Sequence, residues 1–356
     1  MPHFGLVIYG SLETISGGYL YDRKLVEYLQ QQGDQVEFLA LPWRNYPRHL
    51  MDNLSAALYK RLRSKEVDLW LQDELNHPSL FGLNRRFRQE VDVPLVTIVH
   101  HLRCSEARQA WLNAFYRLVE GLYLKSVDGF VFNSHTTRRV VQSLVGTRQP
   151  NLVAYPAGDR FQAVISPSQI EARAHAAGSL RLLFVGNVIP RKGLHVLLES
   201  IKLLPEMTCS LDIVGSLDVD PAYVNKIRQP SVEARAKIWG SIADEQLYKL
   251  FVTSQLLVVP ASYEGFGIAY LEGMAFGLPC IGTRAGAAGE VIQDGENGYL
   301  IDPGDVNALA ERLNQLANER ERLCKMSLAA RQRFLAHPTW DDTTAAIRTF
   351  LLQMLA

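Results

Sequence analysis

With 356 residues, 47% of them hydrophobic and 21% charged, the chain is too long for one ordinary core and too apolar for disorder, so two globular domains are expected. Lysine plus arginine equals aspartate plus glutamate at 37 each, which leaves no net field to attract nucleic acid. No apolar run is long enough to span a bilayer, and Cys104, Cys209, Cys280 and Cys324 form no C-x-x-C, so they read as buried thiols, not as a zinc or disulfide framework.

The opening "MPHFGLVIYG" lacks the basic start and longer apolar run of a signal peptide and reads as the first strand of a cytoplasmic protein. From there, short apolar runs alternate with segments of helical period. "FGLVIYG", "QVEFLAL", "VDLWLQ", "PLVTIVHH", "DGFVFNS" and "NLVAYPAG" read as strands, and "YLYDRKLVEYLQQQG" and "EARQAWLNAFYRLVEGLYLKS" as helices, the first ending at Gly33. Two basic clusters in this half, "YKRLRSK" at 59–65 and "NRRFR" at 84–88, fit either solvated helix faces or peripheral contact with an anionic membrane surface.

A polar, alanine-rich stretch at 162–179 reads as a linker, after which the alternation restarts with "LRLLFVGN", "CSLDIVGS", "EARAKIWGS", "SQLLVVPAS", "LPCIGT" and "NGYLID". Strand and helix in alternation predict parallel sheets. The expected fold class is therefore α/β: two Rossmann-like, doubly wound domains facing across a cleft, with ligands at the carboxyl ends of the strands. The closing "HPTWDDTTAAIRTFLLQMLA" predicts a helix from about Thr339, with Ile347, Phe350, Leu351 and Met354 as its core-facing stripe.

The most informative stretch is "VVPASYEGFGIAYLEGMAFGLPCIGT" at 258–283: a buried strand, a glycine-rich turn, and a helix that Gly277 stops. Gly265, Phe266, Gly267 and Ile268 then lie at a helix N-terminus, where unpaired N–H groups and the dipole favour a phosphate. A carboxylate beside that phosphate needs a task of its own, so Glu264 reads as accepting hydrogen bonds from neutral hydroxyls. Glu272, in the second turn, is placed to accept from another hydroxyl pair such as a ribose. Alone, the two would pass for a turn residue and a surface helix residue; the glycines and the strand-turn-helix context favour a nucleotide-sugar.

These residues carry a resemblance. E-G-F-G-I-A-Y-L-E-G-M-A-F-G-L-P, from Glu264 to Pro279, closely resembles the E-x7-E signature of the family-4 retaining glycosyltransferases of GT-B fold. "FVGNVIPRKGLHVLLESI" (184–201) is similar to the family's donor-phosphate segment, "ADEQLYKLF" and "GAAGEVIQDGENGYLIDPGD" flank the motif as in the family, and "GSLETISGGYLYDRKLVEYLQQQG" (10–33) is similar to its first glycine-rich loop. The resemblance implies domains at 1–165 plus about 342–356, on the acceptor side, and 166–341, for the donor. It implies transfer of a sugar from a nucleoside diphosphate to a hydroxyl of a glycan or lipid-linked acceptor, with retention, in glycan or glycolipid synthesis.

Residue by residue, Glu264 would contact the transferred sugar and Glu272 the ribose. Lys192 matches the phosphate lysine, and Arg191 stands beside it; the two cations would stabilise the departing diphosphate. The family's usual Gly-Arg is Gly186-Asn187 here, so either Arg191 replaces that cation or Asn187 marks a weaker hold on the diphosphate. His100, with His101 as its rival, matches a histidine that touches the donor sugar. Gly17 and Gly18 match the loop whose backbone approaches the phosphates, or form a plain turn into a helix. The implied mechanism is same-face attack in which the leaving phosphate helps deprotonate the acceptor.

No cofactor or metal is expected. Asp218 and Asp220 form a D-x-D, a weak metal signature in a loop where aspartate favours turns. Two other classes fit less well. A Rossmann oxidoreductase would carry G-x-G-x-x-G after the first strand, where "YGSLETISGG" stands. A non-catalytic relative that binds a nucleotide-sugar is hinted at only by Asn187.

Overall fold

The runs read as strands are strands because each is short and apolar, and the central ones are buried on both faces. In this computed structural model, which describes all residues except 107, 147 and 229–234, they are β1 (His3–Tyr9), β2 (Gln35–Leu41), β3 (Leu69–Asp73), β4 (Leu95–Val99), β5 (Gly129–Phe132) and β6 (Asn151–Val153), then β7 (Leu180–Val185), β8 (Cys209–Val214), β9 (Ala236–Gly240), β10 (Leu256–Val258), β11 (Cys280–Thr283) and β12 (Gly298–Ile301). The first two residues of "EARAKIWGS", the run around β9, lie outside the described residues.

The chain divides into two compact units, Met1–Pro156 with Trp340–Ala356, and Ala157–Thr339. The first holds a six-stranded parallel sheet in the order β2-β1-β3-β4-β5-β6, the second another in the order β12-β11-β10-β7-β8-β9. Every residue of β3 and β4 is buried, and Trp70, Phe130, Phe132 and Tyr123 form the centre of the first core. In both units the direction of strand addition reverses at one place, between β1 and β3 in the first and between β10 and β7 in the second. Loops on either side of such a reversal diverge and leave a crevice at the carboxyl edge.

Local sequence explains the helix that opens this crevice in the first unit. Ser16 Oγ accepts from the Tyr19 N–H at 3.3 Å, starting the helix Gly17–Gln31, which buries Tyr21, Leu25 and Leu29 at successive turns. The closing helix, Trp340–Leu355, belongs to the same unit. Ile347, Phe350 and Leu351 are buried as expected, Met354 only partly. Arg348 grips Asp34 with two hydrogen bonds of 2.6 and 3.0 Å.

Two expectations need correction. The stretch at 162–179 contains the helix Pro167–Ala174, started by a Ser166–Gln169 capping box; it buries Ile170, and Arg173 donates to the carbonyls of Phe276 (2.6 Å) and Gly277 (2.9 Å). It is part of the second core, not a linker. The unit boundaries accordingly fall at 156/157 and 339/340, upstream of 165/166 and of 342, because Phe161 already packs on Phe251 and Phe276 of the second unit. The clusters at 59–65 and 84–88 lie on and just after the helix Ala56–Arg63 and on the helix His77–Glu90, in keeping with the reading of them as helix faces, and much of their charge is matched: Arg63 and Arg86 pair with Glu90, Lys65 with Glu37, and Arg88 with Asp128. Among the described residues, no helix is long and apolar enough to cross a membrane.

Candidate functional site

The expected site residues fall into two groups. Asn187, Arg191, Lys192, the run Glu264–Ile268 and Glu272 belong to the second unit; Gly17, Gly18 and His100 belong to the first.

In the second unit the loops after β7, β10 and β11 meet at the strand-order reversal. Glu264 ties two of them together: its N–H donates to the Ala285 carbonyl at 3.3 Å, and its own carbonyl accepts from the Ala287 N–H at 2.8 Å. The turn then passes through Gly267, whose φ of 94° is left-handed; a Cβ there would lie 2.4 Å from the Tyr270 ring. That ring is itself fixed by a hydrogen bond from its hydroxyl to the Val259 carbonyl (2.8 Å). The helix Ile268–Ala275 therefore starts in a set direction, and no side chain caps its N-terminus.

The loop after β7 is drawn against this turn by a second left-handed glycine, Gly193 (φ 72°), where a Cβ would come within 2.0 Å of the Pro260 carbonyl oxygen. Arg191 laces the two loops. Its Nη1 donates to the Tyr263 carbonyl (3.0 Å), and its carbonyl accepts from the Ser262 N–H (2.8 Å). Lys192 Nζ lies 2.6 Å from Glu264 Oε2, both side chains largely buried. The lysine and the first motif glutamate are thus an ion pair at the turn. Asn187 is half-buried at the end of β7, its carbonyl accepting from the Ile189 N–H at 2.9 Å.

Glu272 is no surface glutamate: it is 5% exposed, and Arg160 Nε lies 3.0 Å from its carboxylate. Burial pushes its carboxyl up to about 7 in spite of that cation. Arg160 also reaches Asp244 (3.2 Å) and lies over the Phe161 ring. Sequence reasoning missed Arg160; its only signal was a lone arginine in "GDRF", just after the last strand of the first series. Asp220 of the D-x-D caps the helix Pro221–Ile227 by accepting from the Tyr223 N–H at 3.0 Å.

In the first unit His100, at the end of β4, is the histidine placed against the glycine loop. A Cβ on Gly18 would lie 3.2 Å from its ring, whereas His101 bonds to Glu106 at 2.8 Å. Gly17 is the first residue of the helix that Ser16 caps. His100 Nε2 is 3.2 Å from Asp22 Oδ1, and Asp73, at the end of β3, completes a cluster whose ligating atoms lie within 4.8 Å of one another. Burial alone would lower the imidazole; the Asp22 carboxylate overrides it, with Asp73 and Glu74 adding to the effect, and the ring rises to about 9. Burial, followed by the nearby Asp22 charge, pushes Asp73 up to about 8. Asp22 Oδ2 and Asp73 Oδ2 are buried without a hydrogen-bond partner.

A second buried cluster adjoins it: Glu74, His77 and Glu120. Burial raises both carboxyls to about 7 and lowers His77 to about 4. Sequence reading passed over both clusters. "LQDELNHPS", an acid pair at a strand end with a histidine one helical turn on, was the available signal.

Residues 166–333 match the family described as glycosyl transferases group 1. Among curated proteins, an uncharacterised glycosyltransferase of Methanocaldococcus jannaschii is 31% identical over 139 residues, covering 39% of this chain and 38% of that protein. Glycogen synthase of Mycobacterium tuberculosis is 25% identical over 267 residues, covering 72% of this chain and 63% of that protein. The chain thus spans 38% and 63% of the length of these two relatives. Among solved structures, sucrose-phosphate synthase of Thermosynechococcus elongatus superposes with a TM-score of 0.84 at 18% identity, covering 99% of both chains. HepE of Anabaena, solved with UDP and glucose, gives 0.80 at 18% identity over 99% of this chain and 100% of that one. Residues 166–333 therefore match the glycosyl transferases group 1 family, on a chain whose fold is GT-B.

Proposed function

We propose that the protein is a retaining glycosyltransferase that moves a sugar from a nucleoside-diphosphate sugar to an acceptor hydroxyl in glycan or glycolipid synthesis. The observation that carries this reading is the Lys192–Glu264 pair, 2.6 Å apart at an uncapped helix N-terminus on the strand-order reversal of the second unit. There a cation, a helix N-terminus that no side chain caps and a buried carboxylate acceptor stand side by side, which is the set that a phosphate flanked by sugar hydroxyls requires. Named relatives support it. HepE was solved with UDP and glucose, and the curated relatives include glycogen synthases and mannosyltransferases.

In the proposed reaction the bond from the anomeric carbon to the diphosphate breaks, the acceptor oxygen attacks from the same face, and its proton passes to a departing phosphate oxygen. Lys192 and the amides at Gly265–Ile268 stabilise the leaving group, with no metal ion required. Arg191 acts mainly by bracing the turn, since its guanidinium donates to the Tyr263 carbonyl. Glu264 accepts from the transferred sugar and Glu272 from the ribose, sharing its carboxylate with Arg160. In the first unit His100, charged through Asp22, offers a cationic donor at the edge of its sheet.

Thermal-shift screening with UDP, GDP and ADP, followed by donor turnover with and without EDTA and NMR of the product anomer, tests each part. Failure to bind any nucleoside diphosphate would refute the donor site. A second reading, a binder without turnover, is favoured by Asn187 and by the engagement of Arg191, which leave Lys192 as the principal phosphate cation. Nucleotide binding with neither donor hydrolysis nor transfer would select it.

A further inference from the structure

The helix Ala110–Leu124 is apolar on both sides. Its inner face buries Tyr116, Val119, Tyr123 and Leu124. Its outer face presents Trp111, Phe115, Leu118 and Leu122, which are 69%, 39%, 62% and 46% exposed. Steps of four, three and four residues place the four on one stripe along the helix. Single exposed apolar residues are commonplace, but a continuous stripe headed by tryptophan marks a surface that meets something other than water.

Charge identifies the occupant. The exposed charges on this helix and its C-cap are both cationic, Arg117 and Lys125. The helix's one acid, Glu120, is buried, with its carboxylate accepting from the Arg103 N–H at 2.6 Å. The neighbouring helix His135–Val145, whose Val145 lies beside Gly121, carries the exposed Arg139 and contains no acidic residue. Rings and leucines suit the boundary between headgroups and acyl chains, and the cations suit anionic headgroups. A second copy fits less well. A two-fold contact through this stripe would bring cations toward cations with no carboxylate to meet them.

We propose that the outer face of the helix Ala110–Leu124 docks in the plane of an anionic lipid surface, with Trp111, Phe115, Leu118 and Leu122 at the acyl boundary and Arg117, Lys125 and Arg139 toward the headgroups. This surface is distinct from the ion-paired cluster at 84–88, whose helix His77–Glu90 packs beside Ala110–Leu124. The inference is independent of the sugar-transfer reading.

Co-sedimentation of the full chain with vesicles of phosphatidylcholine alone, and of phosphatidylcholine with phosphatidylglycerol, tests it. Binding should require phosphatidylglycerol and weaken with salt. It should fall about tenfold or more in the triple variant Trp111→Ser, Phe115→Ser, Leu118→Ser, and by a similar factor in Arg117→Glu with Lys125→Glu, whose melting temperature should match wild type because both side chains are exposed. Absence of binding to either vesicle, or binding undiminished in the charge-reversed variant, would overturn the proposal. So would a lipid-free dimer, seen by light scattering, that the triple variant abolishes, since the stripe would then belong to a second copy.

Discussion

Replacing Glu272 with glutamine should make the protein more stable and a worse binder of nucleotides. The carboxyl is 5% exposed, and burial lifts it from 4.5 to about 7 against the pull of Arg160. Between those two values the folded protein binds more protons than the unfolded chain, so stability falls as pH rises through that window and then levels off. A rise from 4.5 to about 7 corresponds to about 3 kcal/mol of stability lost by the wild type across it. Glutamine does not titrate. Urea denaturation at pH 4.5 should therefore find the two proteins within about 1 kcal/mol, and at pH 8 the variant ahead by roughly 2 to 3 kcal/mol. Calorimetry at pH 8 should show the variant weaker for nucleoside and for nucleoside diphosphate alike, because the hydroxyl acceptor assigned to the ribose is lost from both. If the wild type gains on the variant as pH rises, the Arg160–Glu272 pair is a net stabiliser and the reasoning fails. If nucleotide affinity is unchanged, the ribose assignment fails.

Lys192→Ala should weaken diphosphate binding by about 1.5 to 3 kcal/mol and leave nucleoside binding alone; equal weakening of both ligands would remove Lys192 from the phosphate. Glu264→Gln should leave nucleotide affinity undiminished, or raised as Lys192 is released from its carboxylate, while turnover drops about 100-fold, an outcome reversed if the glutamate serves the nucleotide and not the sugar. His100 should titrate by NMR near 9 in the wild type and clearly lower in Asp22→Asn, since Asp22 is the foremost charge that opposes burial there and Asp73 and Glu74 oppose it less; an unmoved resonance would refute that pairing. Gly193→Ala must hold a left-handed backbone and displace the Pro260 carbonyl, so a loss of about 3 kcal/mol or more is expected in denaturant melts.

Reading from sequence succeeded where structure is made by neighbours. Glu264, Gly267 and the helix that follows lie within one turn of chain, and the glycine pattern alone indicates the strand, the tight turn and the uncapped N-terminus. It failed where a side chain's meaning depends on a distant partner. Arg160 looks like any surface arginine until the fold brings Glu272 beside it, and Asp22, Asp73 and His100 come from one helix and two separate strand ends. The cations at 59–65 looked available for a membrane because their acids, Glu37 and Glu90, lie far off in sequence. The helix Pro167–Ala174 was lost in a polar stretch because so few of its residues face the core. Arg173 is among them, admitted only because backbone carbonyls of Phe276 and Gly277 receive its guanidinium.

The contact of 2.6 Å between Lys192 and Glu264 makes the turn its own competitor. An anion that claims the lysine must strip it from a carboxylate that is 8% exposed, leaving a buried negative charge with less to satisfy it. Inorganic phosphate supplies only the claim. A ligand that brings hydroxyl donors within reach of the carboxylate supplies the replacement as well, so the two ends of such a ligand assist each other and neither fragment binds as well alone. Selectivity against the abundant small anions around the protein then needs no steric gate, because it is written into the exchange of one partner for two.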